Sequence, residues 1–519
     1  MLSNLKTKFI YFLEVFWLLL LLTYASMIYL NHQLLGVFNS DWVMFFNFFK
    51  DLFLNNGHYK DWVISPAPHF FPDMFIFFPF FFLVKNIYFQ FLTVTWLMII
   101  LSYLSIRIIY GHFFTKLTTI FALTATSSLF LLAFKNQYPF ILTLLPAVHI
   151  GEFIAGLFLL GIHLILIGHN KVDYKAYLFC VVSGIIAFGA GISDLLFLVQ
   201  FACPIFLAYG FLWKHKRIKF HLALIFSSFT IIFASLGAFL TKYLVPKDIL
   251  LDYLAQPAIT KISATGIIVQ LHAILQIVKN INNHQVEVII GFFYLLIIFI
   301  LMMNYVGFNK IIKVYIDTKI IFLSVFILSS IFINVVIFCL FDNPGQVIDR
   351  YIITFYFFPF LLFFFPLSCF KYYSYTHKIM TYFSFLMFIY IVTNMYLLYY
   401  KPVFKIHMNY YPPDIRCIDN ALRGYGRYGI AQYWDANVLT SFSKESLQIL
   451  PVNSDLTPFY WSVNIKKFKN PISFVILDFG NATSLDKKII YAKYGTPKKE
   501  VSCYARKILL YPKARIKLL

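Results

Sequence analysis

The stretch His69-Phe-Phe-Pro-Asp-Met-Phe-Ile-Phe-Phe-Pro-Phe-Phe-Phe-Leu-Val84 decides the topology of this chain. It is apolar but runs for only 16 residues, and a helix needs about 20 to cross the hydrocarbon core of a bilayer. It contains Asp73, Pro72 and Pro79, and Pro66 and Pro68 stand just before it. A short, charged, proline-broken segment reads as re-entrant or interfacial, because broken backbone at membrane depth is tolerated only where protein or a cavity satisfies it. Eleven other stretches read as spans: 9–30, 87–106, 117–134, 149–168, 176–192, 195–213, 220–241, 286–308, 320–341, 351–370 and 379–399.

Loop charges test that exclusion. With the N-terminus inside, the inner segments 1–8, 107–116, 169–175, 214–219, 309–319 and 371–378 hold 15 Lys and Arg in 50 residues. The outer segments 31–86, 135–148, 193–194, 242–285 and 342–350 hold 9 in 125. This is the distribution that the positive-inside rule requires. If 69–84 crossed, every later loop would invert and Lys214-His-Lys-Arg-Ile-Lys219 would lie outside. The odd span count then puts everything after residue 399 outside as well.

Composition agrees. Of 519 residues, 61% are hydrophobic, 13% are charged and 21% are aromatic. A soluble domain is nearer 45–50% apolar and about 25% charged. Disordered chains, disulfide scaffolds and ordinary soluble enzymes are thereby excluded. The net charge of +21 would point to nucleic acid in a soluble domain. Here it divides between a membrane domain, 1–399, with 38 charges, and a tail domain, 400–519, with 27, so no nucleic-acid partner is expected. The fold class is an α-helical polytopic membrane protein with a C-terminal extracytoplasmic α/β domain.

Eleven of the 14 acids before residue 400 lie in outer loops or at outer helix ends. Acids near membrane depth are costly and often functional. In the first outer loop, 31–86, Asn39-Ser40 can cap a helix from Asp41, and Asn55-Asn56-Gly57 can stop it. Asn47, Lys50 and Asp51 share one face of that helix, a polar stripe turned to a cavity or to water. The plain reading of Asp41 is an acid that complements the helix dipole. The segment that follows adds Asp73 with His69 beside it; its plain reading is an interfacial loop anchored by Trp62.

A first span, an outer loop with an early Asp, an interfacial helix and a Pro-rich re-entrant segment resemble the GT-C superfamily, in a bacterial branch. These are membrane glycosyltransferases that use polyprenyl-phosphate-linked sugars. The likeness continues at Pro146-Ala-Val-His149-Ile-Gly-Glu152, Gly191-Ile-Ser-Asp194 and Asp349-Arg350-Tyr351. It covers the layout of residues 9–399, through short motifs whose order and common side carry the weight. The family's usual paired acids are absent, since Ser40-Asp41-Trp42 holds one. The resemblance implies transfer from a polyprenyl-phosphate donor to a glycan, lipid or protein acceptor at the outer face of the bacterial cytoplasmic membrane, with inversion and without a cofactor.

Such transfer needs a base for the acceptor hydroxyl and a cation for the departing phosphate, which needs no protonation. One carboxylate can suffice, unlike the pair in most glycosidases. Asp41 is the expected base, with Asp73 and Asp51 in reserve. Arg350 is the expected phosphate ligand because its guanidinium matches phosphate oxygens; the plain alternative is an ion pair with Asp349 or Asp342. Tyr351, His149, Glu152, Asp194 and His69 complete the expected binding set. His149 and Glu152, three apart, share a helix face, and a packed polar pair is the plain alternative. The 13 His show no ligand spacing, so no structural metal is expected; whether catalysis uses a divalent ion stays open.

In the tail, Tyr428–Trp434, Leu447–Val452, Ser473–Asp478 and Lys507–Tyr511 read as strands. A helix covers Ile415–Arg423, and Asp435 caps another through Phe442. Gly424-Tyr-Gly-Arg-Tyr-Gly429 spells a dinucleotide fingerprint but precedes a strand instead of following one, so that reading is rejected. Cys417 and Cys503 share this outer domain and are expected to pair; the other four Cys fall in spans. Two further functions compete. A lipid or glycan transporter or flippase would need polar residues along the spans and, often, repeats; the spans are almost bare of charge apart from Glu14, and no internal repeat is visible. An assembly or anchoring protein would work through the tail.

Overall fold

The computed structural model describes residues 2–31, 38–114, 118–146, 149–245, 268–269, 272, 276, 284–305, 317–340, 349–370, 374–400, 410–478, 485–511 and 518. Seven helices among them are long and apolar enough to cross a membrane. They are α1 (Leu2–Leu30), α4 (Ile87–Gly111), α7 (Tyr174–Ser193), α9 (Phe220–Leu244), α10 (His284–Tyr305), α11 (Thr318–Leu340) and α13 (Ser374–Tyr399). The other four expected spans are helical but shorter, with apolar lengths Thr118–Phe134 (α5), Ile150–Leu166 (α6), Leu198–Lys214 and Ile353–Ser368. Seventeen residues rise about 26 Å, short of a core of about 30 Å. The reasons are local. A π-helical turn, Leu198–Ala202, opens α8 (Cys203–Lys214), and Pro359 lies inside α12 (Ile353–Leu361), which gives way to a 3-10 turn at Pro366.

The stretch 69–84 is helical from Phe70 to Leu83, as a π-helical turn Phe70–Met74 joined to α3 (Phe75–Leu83). Fourteen residues rise about 21 Å, too short to span. Its buried side sets Phe77 and Phe81 against Phe49 of α2 (Met44–Leu54). Its other side leaves Phe75, Phe78, Phe82 and Leu83 exposed, which suits the acyl–headgroup boundary. The helix α2 starts at Met44, three residues later than the sequence reading, because Asn39 Oδ1 accepts from Asp41 N at 3.0 Å and holds residues 41–43 in a turn.

Close backbone approach holds the bundle where side chains are smallest. A Cβ at Gly191 of α7 would overlap the Ala234 carbonyl of α9, and one at Gly237 of α9 would overlap the Phe188 carbonyl of α7. Lipid offers helices no hydrophobic driving force, so such contact must come from packing of small residues. The one charge of the first span is neutralised inside the protein. Glu14 meets Arg107 Nε of α4 at 3.0 Å and accepts from Tyr103 Oη.

The tail is an α/β layer, with strand order β3-β2-β5-β7-β6. β2 (Tyr428–Gln432) lies parallel to β3 (Gln448–Val452) and to β5 (Phe474–Asp478), while β7 (Arg506–Leu510) runs antiparallel to β5 and to β6 (Lys499–Cys503). The strand expected through Trp434 stops at Gln432, whose side chain accepts from Trp434 N at 3.0 Å and caps α15 (Tyr433–Phe442). Asp435 therefore does not cap; it lies in the first turn and takes Arg506 Nη2 at 2.8 Å. Gly424, at φ +85°, follows α14 (Pro413–Leu422) as the left-handed residue that ends it. Cys417 of α14 and Cys503 of β6 are joined in a disulfide, their Cα atoms 5.6 Å apart.

The tail rests on the long loop that follows α1. β1 (Trp62–Val63) pairs antiparallel with β4 (Val463–Asn464). Phe442 of α15 packs on Phe38 and Tyr88, with ring centroids 5.7 and 5.0 Å apart. The tail and the loop therefore share one side of the bundle, independently of any charge rule. Cysteines placed at the exposed Lys60 and Lys488 are expected to react with an impermeant maleimide from one side of the membrane, and one at the exposed Lys216 from the other. Labelling of all three from one side would remove this topology. Reducing the Cys417–Cys503 bond, which closes a sequence separation of 86, is expected to destabilise the tail by about 2–4 kcal/mol, read as a lowered tail unfolding transition in reductant.

Candidate functional site

Three irregular backbone segments deliver the polar side chains. His69 stands at φ +52° where the π turn begins, and His149 at φ +63° where α6 begins. A non-glycine residue in the left-handed region costs of order 1–3 kcal/mol and persists only where its surroundings impose it. Here the surroundings are the end of α7. His69 N donates to Ser193 O at 3.3 Å and Phe71 N to Ser193 Oγ at 2.6 Å.

The two histidines then pair crosswise with carboxylates from helix ends. His69 Nδ1 lies 3.0 Å from Glu152 Oε1, and His149 Nδ1 bonds Asp194 Oδ2. His149 precedes α6 and Glu152 lies in its first turn, and each takes its partner from outside that helix. Their rings bring the pairs together, with centroids 5.0 Å apart for His69 and His149. Glu152 sits in the first turn of α6, where the helix dipole favours a carboxylate. Asp194 caps the C-terminus of α7, where the dipole opposes it, and is compensated by His149 and by Leu196 N at 2.9 Å. All of these side chains are buried, and Asp73 is fully so. A Cβ on Gly151 would overlap the Asp73 carboxylate, so glycine there makes room for the acid.

Five ionisable groups from residues 69 to 194 therefore share one buried site. His69, Asp73 and Glu152 place one ligand-type atom each within 4.8 Å of one another. The expectation of no structural metal rested on spacing along the chain, which does not bring these three residues together. The three residues come from a loop, a π turn and a helix start. Ser193 was not singled out from the sequence either. A serine among small residues at a helix end carries no signal of its own.

Tyr351 reaches this site; its ring centroid lies 5.2 Å from that of His149. It belongs to a 3-10 turn, Asp349–Ile352, and its carbonyl accepts from Gln200 Nε2 at 2.8 Å. The Arg350 side chain lies outside the described residues, but its backbone stands in that turn, next to the residue that touches His149.

The other two expected acids serve the tail. Asp51 is buried and its carboxylate is fully engaged, with Trp62 Nε1 at 2.8 Å, Asn464 Nδ2 at 2.7 Å and Lys467 Nζ at 2.7 Å. Burial pushes the Lys467 ammonium below the ordinary lysine value, and Asp51 pulls it part of the way back. Asn47 donates to Asn437 O at 3.0 Å and accepts from Ser441 Oγ at 2.9 Å. Lys50 lines the crevice between α2 and the tail with Asn437, Asn464 and Lys467. The polar stripe of α2 thus faces a protein domain and not an open cavity. Asp41 accepts from Tyr433 Oη, and its neighbour Ser40 donates to Tyr433 O. Nothing in the local sequence of these two acids reveals that a domain some 400 residues later in the chain settles on them.

No family model, curated protein or solved structure matches the chain.

Among the described residues, two charged pairs join the tail to the loop and α2, and Asp51–Lys467 is the more buried, since the Lys466–Asp61 pair is largely exposed at its lysine. Removing one partner of a buried pair costs about 3–5 kcal/mol. With Lys467 partly exposed, Asp51→Ala and Lys467→Met are each expected near the lower end of that range. The double variant should cost clearly less than the sum. Thermal unfolding of the purified protein reads this, and strict additivity would separate the two residues.

Proposed function

We propose that the protein is a membrane glycosyltransferase that moves a sugar from a polyprenyl-phosphate donor to a hydroxyl acceptor at the outer face of the cytoplasmic membrane. The observation that carries this reading is the convergence of the His149–Asp194 and His69–Glu152 pairs on the tail side of the helix bundle, with the turn of Arg350 and Tyr351 against His149. An imidazole whose Nδ1 is held by a carboxylate presents Nε2 in a fixed orientation and has its imidazolium stabilised, which is what a general base requires. The site lies at the end of apolar helices, where a polyprenyl chain remains in lipid while its phosphate meets polar groups.

In the reaction the acceptor oxygen attacks the anomeric carbon as the bond to the phosphate oxygen breaks, with inversion. The acceptor proton passes to His149 Nε2, and Asp194 stabilises the resulting cation. The lipid phosphate departs as an anion and is bound by Arg350, so no acid catalyst is required. Asp41, held by Tyr433 at the tail contact, positions the tail and is not the base.

A lipid or glycan transporter is the second reading. His163 of α6 is fully buried and bonds Thr230 Oγ1 at 2.8 Å and Tyr209 Oη at 3.2 Å. That is a polar site inside the bundle, about 16 Å along α6 from Glu152.

The test is label transfer from polyprenyl-phosphate sugars in membranes containing the protein. His149→Gln and Asp194→Asn are expected to lower turnover by about 10²–10⁴ with donor binding largely kept. Arg350→Lys should weaken binding and rate together, because a point charge does not reproduce a fork. Loss of transfer in Asp41→Asn with His149→Gln unaffected would move the base to Asp41. Movement of the lipid sugar across the bilayer without any transfer, abolished by His163→Phe, would favour the transporter.

A further inference from the structure

We infer that His69, Asp73 and Glu152 form a binding site for one divalent cation of the zinc or manganese type. The buried ligand set itself is the starting point: one ligand-type atom each from His69, Asp73 and Glu152, all within 4.8 Å of one another. The Asp73 and Glu152 carboxyl groups meet there. Two carboxyl groups meeting in a water-poor site must share a proton or repel as a pair of anions. A cation between them turns the repulsion into attraction.

The donor set is one imidazole nitrogen and two carboxylates. Magnesium and calcium prefer all-oxygen shells, whereas imidazole with carboxylate suits zinc, manganese and their neighbours. The spacing also fits. Two ligands each about 2.1 Å from one ion stand about 3.0 Å apart at a right angle and about 3.4 Å apart at the tetrahedral angle. His69 Nδ1 and Glu152 Oε1 are 3.0 Å apart. The widest separation in the set, 4.8 Å, closes to the roughly 4.2 Å limit of a shared ion with side-chain shifts of under about 1 Å.

The backbone prepares the same geometry. The left-handed conformation of His69 places its ring against α6. Gly151 leaves the space that Asp73 occupies. The neighbouring His149–Asp194 pair stands beside the His69 ring without contributing to the three-residue set. Three protein ligands leave coordination positions for water or an anionic oxygen of a substrate, the pattern of a reactive site and not of a closed structural one.

The experiment uses the full chain in detergent, stripped with chelator, dialysed against zinc or manganese and analysed for bound metal by mass spectrometry. About one ion per chain is expected, with affinity falling more than about 10-fold in Asp73→Asn, Glu152→Gln and His69→Gln, while Asp41→Asn keeps the ion. Because a ligand variant can fail to fold, the wild-type protein is also tested alone. Zinc or manganese should raise its Tm and chelator should reverse the rise, and cobalt should give visible absorption of a nitrogen-ligated site. Stoichiometric metal that survives all three substitutions, or wild-type protein with neither bound ion nor Tm shift, would overturn the site and leave a proton shared between Asp73 and Glu152. These readouts do not involve turnover, so they stand or fall separately from the glycosyltransferase reading.

Discussion

The desolvation of charge at the tail-side end of the bundle is the constraint on which the arrangement depends. Three carboxylates and two histidines are buried there, and an uncompensated buried charge costs several kcal/mol. Each charge therefore has to find a partner from another element. His69 of the π turn finds Glu152 of α6, and His149 before α6 finds Asp194 after α7. These crossed pairs join the segment 69–84 to α6 and α6 to the end of α7, beside the hydrogen bonds that Ser193 already makes with His69 N and Phe71 N. They also explain why the backbone is irregular in the same places. A regular helix start at 149 or at 69 would not turn the rings toward each other, and the left-handed residues are the geometric consequence.

A second polar assembly does a different task with similar parts. Asp51, Asn47 and Asp41 lie on the loop and helix that open the outer region, and each is answered by the tail: by Lys467 and Asn464, by Asn437 and Ser441, and by Tyr433. Two short strands and an aromatic cluster of Phe38, Tyr88 and Phe442 complete the joint. The tail is thus a fixed cover on the segment that leads into His69. This gives the tail a mechanical relation to the site, since residue 63 pairs with the tail and residue 69 enters the polar cluster six positions later.

The histidine–carboxylate site and the docking joint draw on the same residue types, and chemistry by type does not separate them. Asp51 and Asp73 are both acids in a Phe-rich context, both buried. Asp51 meets an ammonium, an amide and an indole N–H, whereas the Glu152 carboxyl is among the neighbours of Asp73. A lysine partner suits an acid to a structural joint, and a buried cluster of one imidazole and two carboxyl groups suits it to a cation.

Local pattern determined a good deal by itself. The apolar runs located the helices, because a chain in lipid must satisfy its own backbone and helices alone do so within one segment. The proline-broken length of 69–84 marked it as too short to cross, and the turn residues and β-branched runs of the tail placed four strands of its sheet, β2, β3, β5 and β7. The family resemblance drew attention to Arg350, Tyr351, His149, Glu152, Asp194 and His69 as a binding set, and to Asp73 as a reserve base beside Asp41 and Asp51. What tertiary structure decided was partnership. Pairing of His69 with Glu152, engagement of Asp51 and Asp41 by the tail, and the meeting of Asp73 with Glu152 all join residues separated by tens to hundreds of positions. Contact energies of that kind depend on distance and desolvation in space, and a one-dimensional pattern carries neither.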